Sequence, residues 1–263
     1  MLPVIHLFSL ELSTYGLCSA LGLVIMAFTA FLLGRKHNIL IEDIIFGELT
    51  ALVGAFIGAH ILYAVTNAAQ IYEQLTIFFE RNKDISYLWE IIRVYAGGMV
   101  FYGGLIGGLV FGIIYCKIRK ISLGLFSDCF AVAIPLFHAC GRVGCFLSGC
   151  CYGVESGFGF TATQSIIDSC NGVCRFPVQL LESFLNLVIF AILLILFRKG
   201  IMIGRLIYIY LIMYGTVRFF DEFLRGDEYR GILLNLSTSQ WISLILIIFA
   251  IIILIKNKSK AVE

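Results

Sequence analysis

Pro135-Leu-Phe-His-Ala-Cys-Gly-Arg-Val-Gly-Cys-Phe-Leu-Ser-Gly149 is an apolar run with one arginine, Arg142, set inside it. A second arginine, Arg218, sits in Tyr208-Ile-Tyr-Leu-Ile-Met-Tyr-Gly-Thr-Val-Arg-Phe-Phe-Asp-Glu-Phe223. A charge at the centre of a membrane helix costs roughly 2.5–3.5 kcal/mol on insertion scales, so an arginine kept there usually marks a site that handles an anion. In a bilayer the commonest anion is a phospholipid phosphate. Both runs therefore read as membrane-embedded, with a function attached.

The rest of the chain agrees. Of its 263 residues 60% are hydrophobic and only 14% are charged, and the mean hydropathy is +0.97. That is too apolar for a soluble fold of this size. Apolar stretches of about 20 residues, long enough to cross roughly 30 Å of hydrocarbon, recur throughout. The short alternating segments of a β-barrel are missing. No basic tail or aromatic-basic interleaving points to nucleic acid. The start, Met1-Leu-Pro-Val-Ile-His-Leu-Phe-Ser-Leu-Glu11, has neither a positive leading region nor an obvious cleavage site, so no removed signal peptide is expected.

The expected fold class is an all-α polytopic membrane protein with about seven transmembrane helices. They fall at 14–33, 44–65, 97–116, 123–139, 178–197, 206–219 and 240–255, the fourth continuing as a broken helix or re-entrant loop through Arg142 to Gly149. One alternating set of connections carries Arg35, Lys36, Lys117, Arg119, Lys120, Arg198, Lys199, Arg205, Lys256, Lys258 and Lys260. The other holds Arg81, Lys83, Arg93, Arg175 and Arg230 among many acids. The positive-inside rule makes the first set cytoplasmic, placing the N-terminus outside and the C-terminus inside. Arg142, Arg218 and Arg225 then lie toward the outer leaflet. With three prolines and no linker-like stretch, residues 1–263 read as a single domain. The outer segment 71–80 reads as an amphipathic helix at the interface.

Several polar residues on these spans are candidates for chemistry. Asp128, Pro135, His138 and Arg142 fall near one helical face. Asp128 reads as a structural lock, Arg142 as an anion binder, and His138 alone more readily as a hydrogen-bonded core residue than as a base. Gln179, Glu182, Ser183 and Asn186 form a polar stripe that must face the bundle interior or a wet cavity. Glu182 suits an arginine partner better than a proton acceptor. Tyr214, Arg218, Glu222 and Arg225 share another face, and Asp221 can meet Arg225 at i+4. At the outer end, Asp221, Arg225, Asp227 and Glu228 also fit ordinary surface ion pairs.

Gly103, Gly104, Gly107, Gly108 and Gly112 repeat at four-residue spacings that let helices approach closely in lipid, with Tyr102 beside them near the outer end. Cys140, Cys145, Cys150, Cys151, Cys170 and Cys174 cluster in or beside one outer segment. There Cys150 or Cys151 could bridge Cys170 or Cys174, or all could stay free. The spacing lacks two well-formed C-x2-C pairs, so neither metal nor cofactor is expected.

These motifs, in this order, resemble the prolipoprotein diacylglyceryl transferases of bacterial cytoplasmic membranes. The resemblance covers nearly the whole chain: Tyr15-Gly16, Gly58-Ala-His-Ile-Leu-Tyr63, Phe101-Tyr-Gly-Gly-Leu-Ile-Gly107, Gly141-Arg-Val-Gly-Cys-Phe-Leu-Ser-Gly149, Pro177-Val-Gln-Leu-Leu-Glu182, Tyr214-Gly-Thr-Val-Arg-Phe-Phe-Asp-Glu-Phe-Leu-Arg225 and Leu236-Ser-Thr-Ser-Gln-Trp241. It implies transfer of a diacylglyceryl group from phosphatidylglycerol to the lipobox cysteine in a prolipoprotein signal peptide, the first step of lipoprotein maturation. It places the enzyme in the bacterial inner membrane among membrane lipids, its active site toward the outer leaflet. Arg142 and Arg218 match the family's essential arginines and, with His138, Tyr102 and Glu222, are the expected catalytic group. Arg225, Tyr15, Gly103, Gly104, Gly144, Glu182, His60 and Cys145 are the expected substrate-binding positions.

The sequence departs from the family where Tyr102 replaces a histidine, Cys145 and Ser148 replace asparagines, Cys150 replaces an acid, and His60 replaces an arginine. A phenol ionising near pH 10 is a poor base at neutrality. The proton would then go to His60, His138 or a carboxylate. Otherwise the chain is a divergent paralogue with another envelope acceptor, or a non-catalytic lipid-binding or translocating protein. Phospholipid turnover by purified protein separates these readings.

Overall fold

The computed structural model describes residues 2–7, 10–80, 85–96, 98, 100–227 and 232–259. Arg81, Lys83, Glu228, Arg230 and Lys260, singled out above, lie outside the described residues, as does the side chain of Tyr102. In chain order the elements are β1 (Val4–Leu7), β2 (Leu10–Ser13), α1 (Thr14–Arg35), α2 (Ile41–Thr66), α3 (Ala68–Glu80), α4 (Ile85–Ala96), α5 (Phe101–Arg119) and α6 (Leu123–Ser148). After these come β3 (Glu155–Thr161), β4 (Cys174–Arg175), α7 (Val178–Arg198), α8 (Leu206–Asp221), β5 (Ile232–Leu233), β6 (Leu236–Ser237) and α9 (Thr238–Ser259). Among the described residues, three two-stranded antiparallel pairs, β1–β2, β3–β4 and β5–β6, accompany the helices. Among the described residues five helical stretches are long and apolar enough to cross a membrane: α1, α2, α6, α7 and Thr238–Lys256 of α9. The protein is an all-helical, multi-pass membrane protein.

The chain divides into two compact units, 39–123 and 1–38 joined with 124–263. In the first, α2 and α5 pack backbone to backbone. A Cβ on Gly58 would run into the Gly103 carbonyl, and one on Gly107 into the Gly54 carbonyl. The missing side chains permit an approach that lets van der Waals contact hold helices together where lipid supplies no hydrophobic drive. At one end of this pair Asp43 is buried and accepts from Arg119 Nε at 2.8 Å and from the Tyr115 hydroxyl at 3.1 Å. The connection between α2 and α5 is helical too: α3 covers the stretch read as amphipathic, and α4 follows it.

The second unit is built on α6. Cys129, Ala131, Val132 and Ala133 are fully buried there, as are Leu193 of α7 and Leu206 of α8. Asp128, also fully buried, accepts from the backbone N–H groups of Gly204 and, at 2.8 Å, Leu206. Its carboxylate thereby caps the start of α8 and satisfies donors that a helix N-terminus leaves unpaired. This is the structural lock expected of Asp128. Ser183 Oγ on α7 donates to the Ala139 carbonyl on α6 at 3.0 Å.

The expected break in the fourth span does not occur. Leu123–Ser148 is one helix that carries Pro135 inside it and runs straight through Arg142. Gly144 is there for packing and not for irregular backbone: a Cβ would stand 3.0 Å from Cys18 Cβ and 3.2 Å from Tyr15 Cα on α1. The helix stops one turn later, at Gly149, whose φ of +76° suits glycine. The N-terminal segment is tied to the same end, with Leu2 N–H donating to the Leu147 carbonyl at 2.9 Å.

Candidate active site

Three arginines gather where α6, α7 and α8 meet the loops beyond them. Arg142 Nε lies 2.8 Å from Glu182 Oε1 on α7, with the Glu182 side chain only 3% exposed. One helical turn inside the end of α8, Arg218 Nη2 lies 2.7 Å from Glu222 Oε2 and 3.2 Å from Ser239 Oγ on α9. Arg225 forks onto Asp227, its Nε donating to Oδ1 at 2.8 Å and its Nη2 to Oδ2. The charges of Glu182, Arg218, Arg142 and Arg225 all act on the buried Asp221 carboxylate, and those of Arg142 and Arg218 both act on the Tyr214 phenol. The three arginines thus share one neighbourhood. Each is fixed by a carboxylate, as a mostly desolvated cation requires.

One donor is left over. Arg218 Nη1 is buried and has no hydrogen-bond partner among the described residues. Buried polar groups are nearly always paired, and an orphan on a guanidinium asks for an explanation. A planar fork of N–H donors matches the oxygens of a phosphate.

The expected pairing of Arg225 with Asp221 is not what forms. The α-helix ends at Asp221 and tightens into a 3-10 turn over Glu222–Leu224, which breaks the four-residue register. Arg225 turns to Asp227 instead. Burial works to raise the Asp227 carboxyl, yet hydrogen bonds and charge from Arg225 hold it below the usual carboxylate range.

His138 lies on α6 one turn before Arg142. Its Nδ1 is 3.2 Å from the Tyr210 hydroxyl, and its ring centroid is 4.8 Å from that of Tyr214. Tyr210 and Tyr214 stack on each other at 5.7 Å. His138 therefore shares the neighbourhood of the arginines inside an aromatic cage. Tyr15, 48% exposed, stands at the α1–α6 contact beside Gly144. Gln179, on the polar stripe of α7, donates to the Cys150 carbonyl at 2.8 Å.

The other candidates belong to the 39–123 unit. His60 bonds the Phe56 carbonyl of its own helix through Nδ1 at 2.8 Å and packs its ring on Phe56. Gly103 is taken up by the α2–α5 packing, and Gly104 faces the Ala55 carbonyl across the same contact.

All nine cysteines are free, so no bridge joins Cys150 or Cys151 to Cys170 or Cys174. Cys150 and Cys151 fold back on Cys145 instead. The three sulfurs all lie within 4.8 Å of one another, and the Cys150 thiol points at the Cys145 carbonyl at 3.7 Å. A left-handed residue at Cys151, φ +54°, follows the turn at Gly149 and completes the reversal. The next residues are bound to the Arg225 loop: Val154 N–H donates to the Leu224 carbonyl at 2.9 Å and Gly226 N–H to the Tyr152 carbonyl at 3.0 Å. Thiol hydrogen bonds from Cys145 and Cys150, joined by the charges of Arg225 and Arg142, pull the Cys151 thiol down from its ordinary value.

Sequence reasoning missed Ser239 and Tyr210. Ser239 follows Thr238 in the last motif quoted, but its link to Arg218 spans 21 positions and no local pattern announces it. Tyr210 lies four residues before Tyr214, the helical spacing that could have pointed to it.

Residues 3–256 match the family model described as prolipoprotein diacylglyceryl transferase. The phosphatidylglycerol–prolipoprotein diacylglyceryl transferase of Clostridium tetani is 31% identical over 256 residues, covering 96% of each chain. That of Ligilactobacillus salivarius is 32% identical, covering 92% of this chain and 87% of the relative. Transferase 2 of Clostridium perfringens is 29% identical, covering 97% and 94%.

Proposed function

The chain belongs to the prolipoprotein diacylglyceryl transferase family, and on that premise we propose that it moves the diacylglyceryl group of phosphatidylglycerol onto the lipobox cysteine of a prolipoprotein signal peptide. The cysteine thiolate attacks the glyceryl carbon next to the phosphate. A carbon–sulfur bond forms, the carbon–oxygen bond breaks, and glycerol phosphate departs with the electron pair. Negative charge grows on the leaving phosphate, so donors fixed in advance stabilise the transition state more than the ground state.

The observation that carries this reading is the unpaired, buried Nη1 of Arg218 in the neighbourhood of Arg142. In the proposed roles Arg142 and Arg218 hold the phosphate, while Glu182 and Glu222 fix their guanidinium planes. Arg225, Tyr15, Gly144 and Cys145 border the headgroup or the incoming thiol. His138, in its aromatic cage, is the favoured proton acceptor ahead of Tyr102, and His60, Gly103 and Gly104 keep the substrate-binding role that the family resemblance gives them.

The proposal extends to topology. α5 and α8 join the five long apolar helices as crossings, giving seven spans with the N-terminus outside. The chain acts as one domain in the bacterial cytoplasmic membrane with its site toward the outer leaflet. Purified protein in phosphatidylglycerol micelles, given a lipobox peptide, should release glycerol phosphate and raise the peptide's mass by one diacylglyceryl group. A peptide that stays unmodified while phosphatidylglycerol is turned over would redirect the reading to another acceptor. Absence of any turnover would favour a lipid-binding or translocating role.

A further inference from the structure

Cys145 opens the last turn of α6, and the left-handed turn at Gly149 and Cys151 brings two more sulfurs back over it. The C-x4-C-C spacing is not that of a zinc finger. The chain reversal does what paired C-x2-C turns do elsewhere, placing three soft ligands around one point. We propose that Cys145, Cys150 and Cys151 form a three-thiolate site for Zn2+, with a fourth position left open for the thiol of the acceptor. The identity of that fourth ligand rests on the transfer reading above; the metal site does not.

Zinc–sulfur bonds of about 2.3 Å in a tetrahedron put the sulfurs roughly 3.8 Å apart. Sulfurs already within 4.8 Å of one another reach that spacing by closing about 1 Å. Thiolates select zinc or cuprous copper over the hard cations. Three thiolates on Zn2+ carry one net negative charge, and Arg142 and Arg225 both lie close enough for their charges to act on Cys151.

The shell around the ligands is already fixed. Gln179 holds the Cys150 carbonyl, and Ser165 Oγ donates to the Gly149 carbonyl at 2.8 Å. The backbone bonds between residues 152–154 and 224–226 anchor the loop that carries Cys151. Such outer contacts orient ligands and tune a bound metal.

Three protein ligands and one open place are the pattern of catalytic zinc. A thiol that binds zinc is deprotonated outright. Here the acceptor's proton passes to the proton acceptor of the transfer reading, His138. The zinc-held sulfur donates its pair to the glyceryl carbon, and glycerol phosphate leaves with the pair from the broken carbon–oxygen bond. The thioether, now neutral and a weaker ligand, comes off the metal.

The test uses full-length protein purified without added metal, with Zn2+ and Co2+ as probes. About one zinc per chain is expected, and the cobalt form should show intense thiolate-to-metal charge-transfer absorption. The triple variant Cys145→Ser, Cys150→Ser, Cys151→Ser should lose both, whereas Cys174→Ser keeps them. A cysteine-containing lipobox peptide should change the cobalt spectrum, and its serine analogue should not. Wild-type protein that binds no zinc and gives no cobalt–thiolate band overturns the site without recourse to any variant, as does a band that persists in a folded triple variant. A band indifferent to the peptide overturns the fourth position. Full turnover by metal-free protein removes zinc from the chemistry and leaves the transfer reading intact. Metal binding without any transfer refutes the transfer reading and leaves the metal site standing.

Discussion

Replacing Glu182 by Gln tests the arginine cluster most directly. The amide keeps the shape and one oxygen acceptor but removes the charge that faces Arg142 at 2.8 Å. Removing one member of a buried ion pair commonly costs about 3–5 kcal/mol because the other charge is left uncompensated. The Arg142 side chain is 19% exposed, so water can reach it in part and the lower end applies, about 3 kcal/mol. If that cost is carried by the hold on the phosphate, at about 1.4 kcal/mol per factor of ten kcat/KM for peptide transfer should fall on the order of 100-fold. The assay is the mass shift of a lipobox peptide in phosphatidylglycerol micelles, run beside a thermal melt in the same detergent. If the pair holds Arg142 for the phosphate, turnover per folded molecule drops. If it only staples α6 to α7, the melt shifts and turnover per folded molecule does not. Wild-type turnover together with an unchanged melt would refute the reasoning at its root.

Arg142→Lys and Arg218→Lys should each cost at least about tenfold in turnover because a lysine lacks the planar fork; wild-type rates in both would remove phosphate binding from these residues. His138→Gln should lower turnover by about 10²–10⁴-fold if it is the proton acceptor, with Tyr102→His tolerated, and a normal pH–rate profile in His138→Gln would clear it. Asp227→Asn should lower stability by about 1 kcal/mol at neutral pH. Since Arg225 depresses the Asp227 carboxyl, that contribution is complete above the unfolded value near 3.9 and vanishes as pH falls through the lower folded one. Melts of the two proteins should therefore converge only in strong acid, and a gap that instead widens below pH 4 contradicts the sign. Thiol labelling should find Lys117–Lys120 positions cytoplasmic, and labelling from outside would invert the topology.

The helices could be read from the sequence because hydrocarbon-length apolar runs leave little choice of structure. Arg142 and Arg218 were legible for the same reason: a costly charge stands out against lipid. What escaped was anything set by contacts distant in sequence. Gly144 and Gly149 looked like licence for irregular backbone after Arg142, yet α6 stays intact to Ser148, since Gly144 makes room for α1 and only Gly149 leaves the helical region. The Asp221–Arg225 pair failed because a 3-10 turn altered the register by a fraction of a residue per turn. α4 was passed over as connection, its apolar residues being mixed with charges. The six clustered cysteines could be seen, but not that Cys145, Cys150 and Cys151 come together, because the reversal at Gly149, where Ser165 packs against the glycine, is not a local pattern.

Asp128 has a consequence in time as well as in space. The backbone N–H of Gly204 that it captures lies 76 residues further along the chain. At a synthesis rate of roughly 5–20 residues per second, about 4–15 s pass between the emergence of the carboxylate and that of its donors. During that interval α6 carries an acidic group with nothing of its own chain to bond. It must wait in the insertion machinery, hold a proton, or borrow water at the membrane surface. The arrival of residues 204–206 ends the wait. The bonds that hold Asp128 in the finished fold therefore form only after the start of α8 has been made.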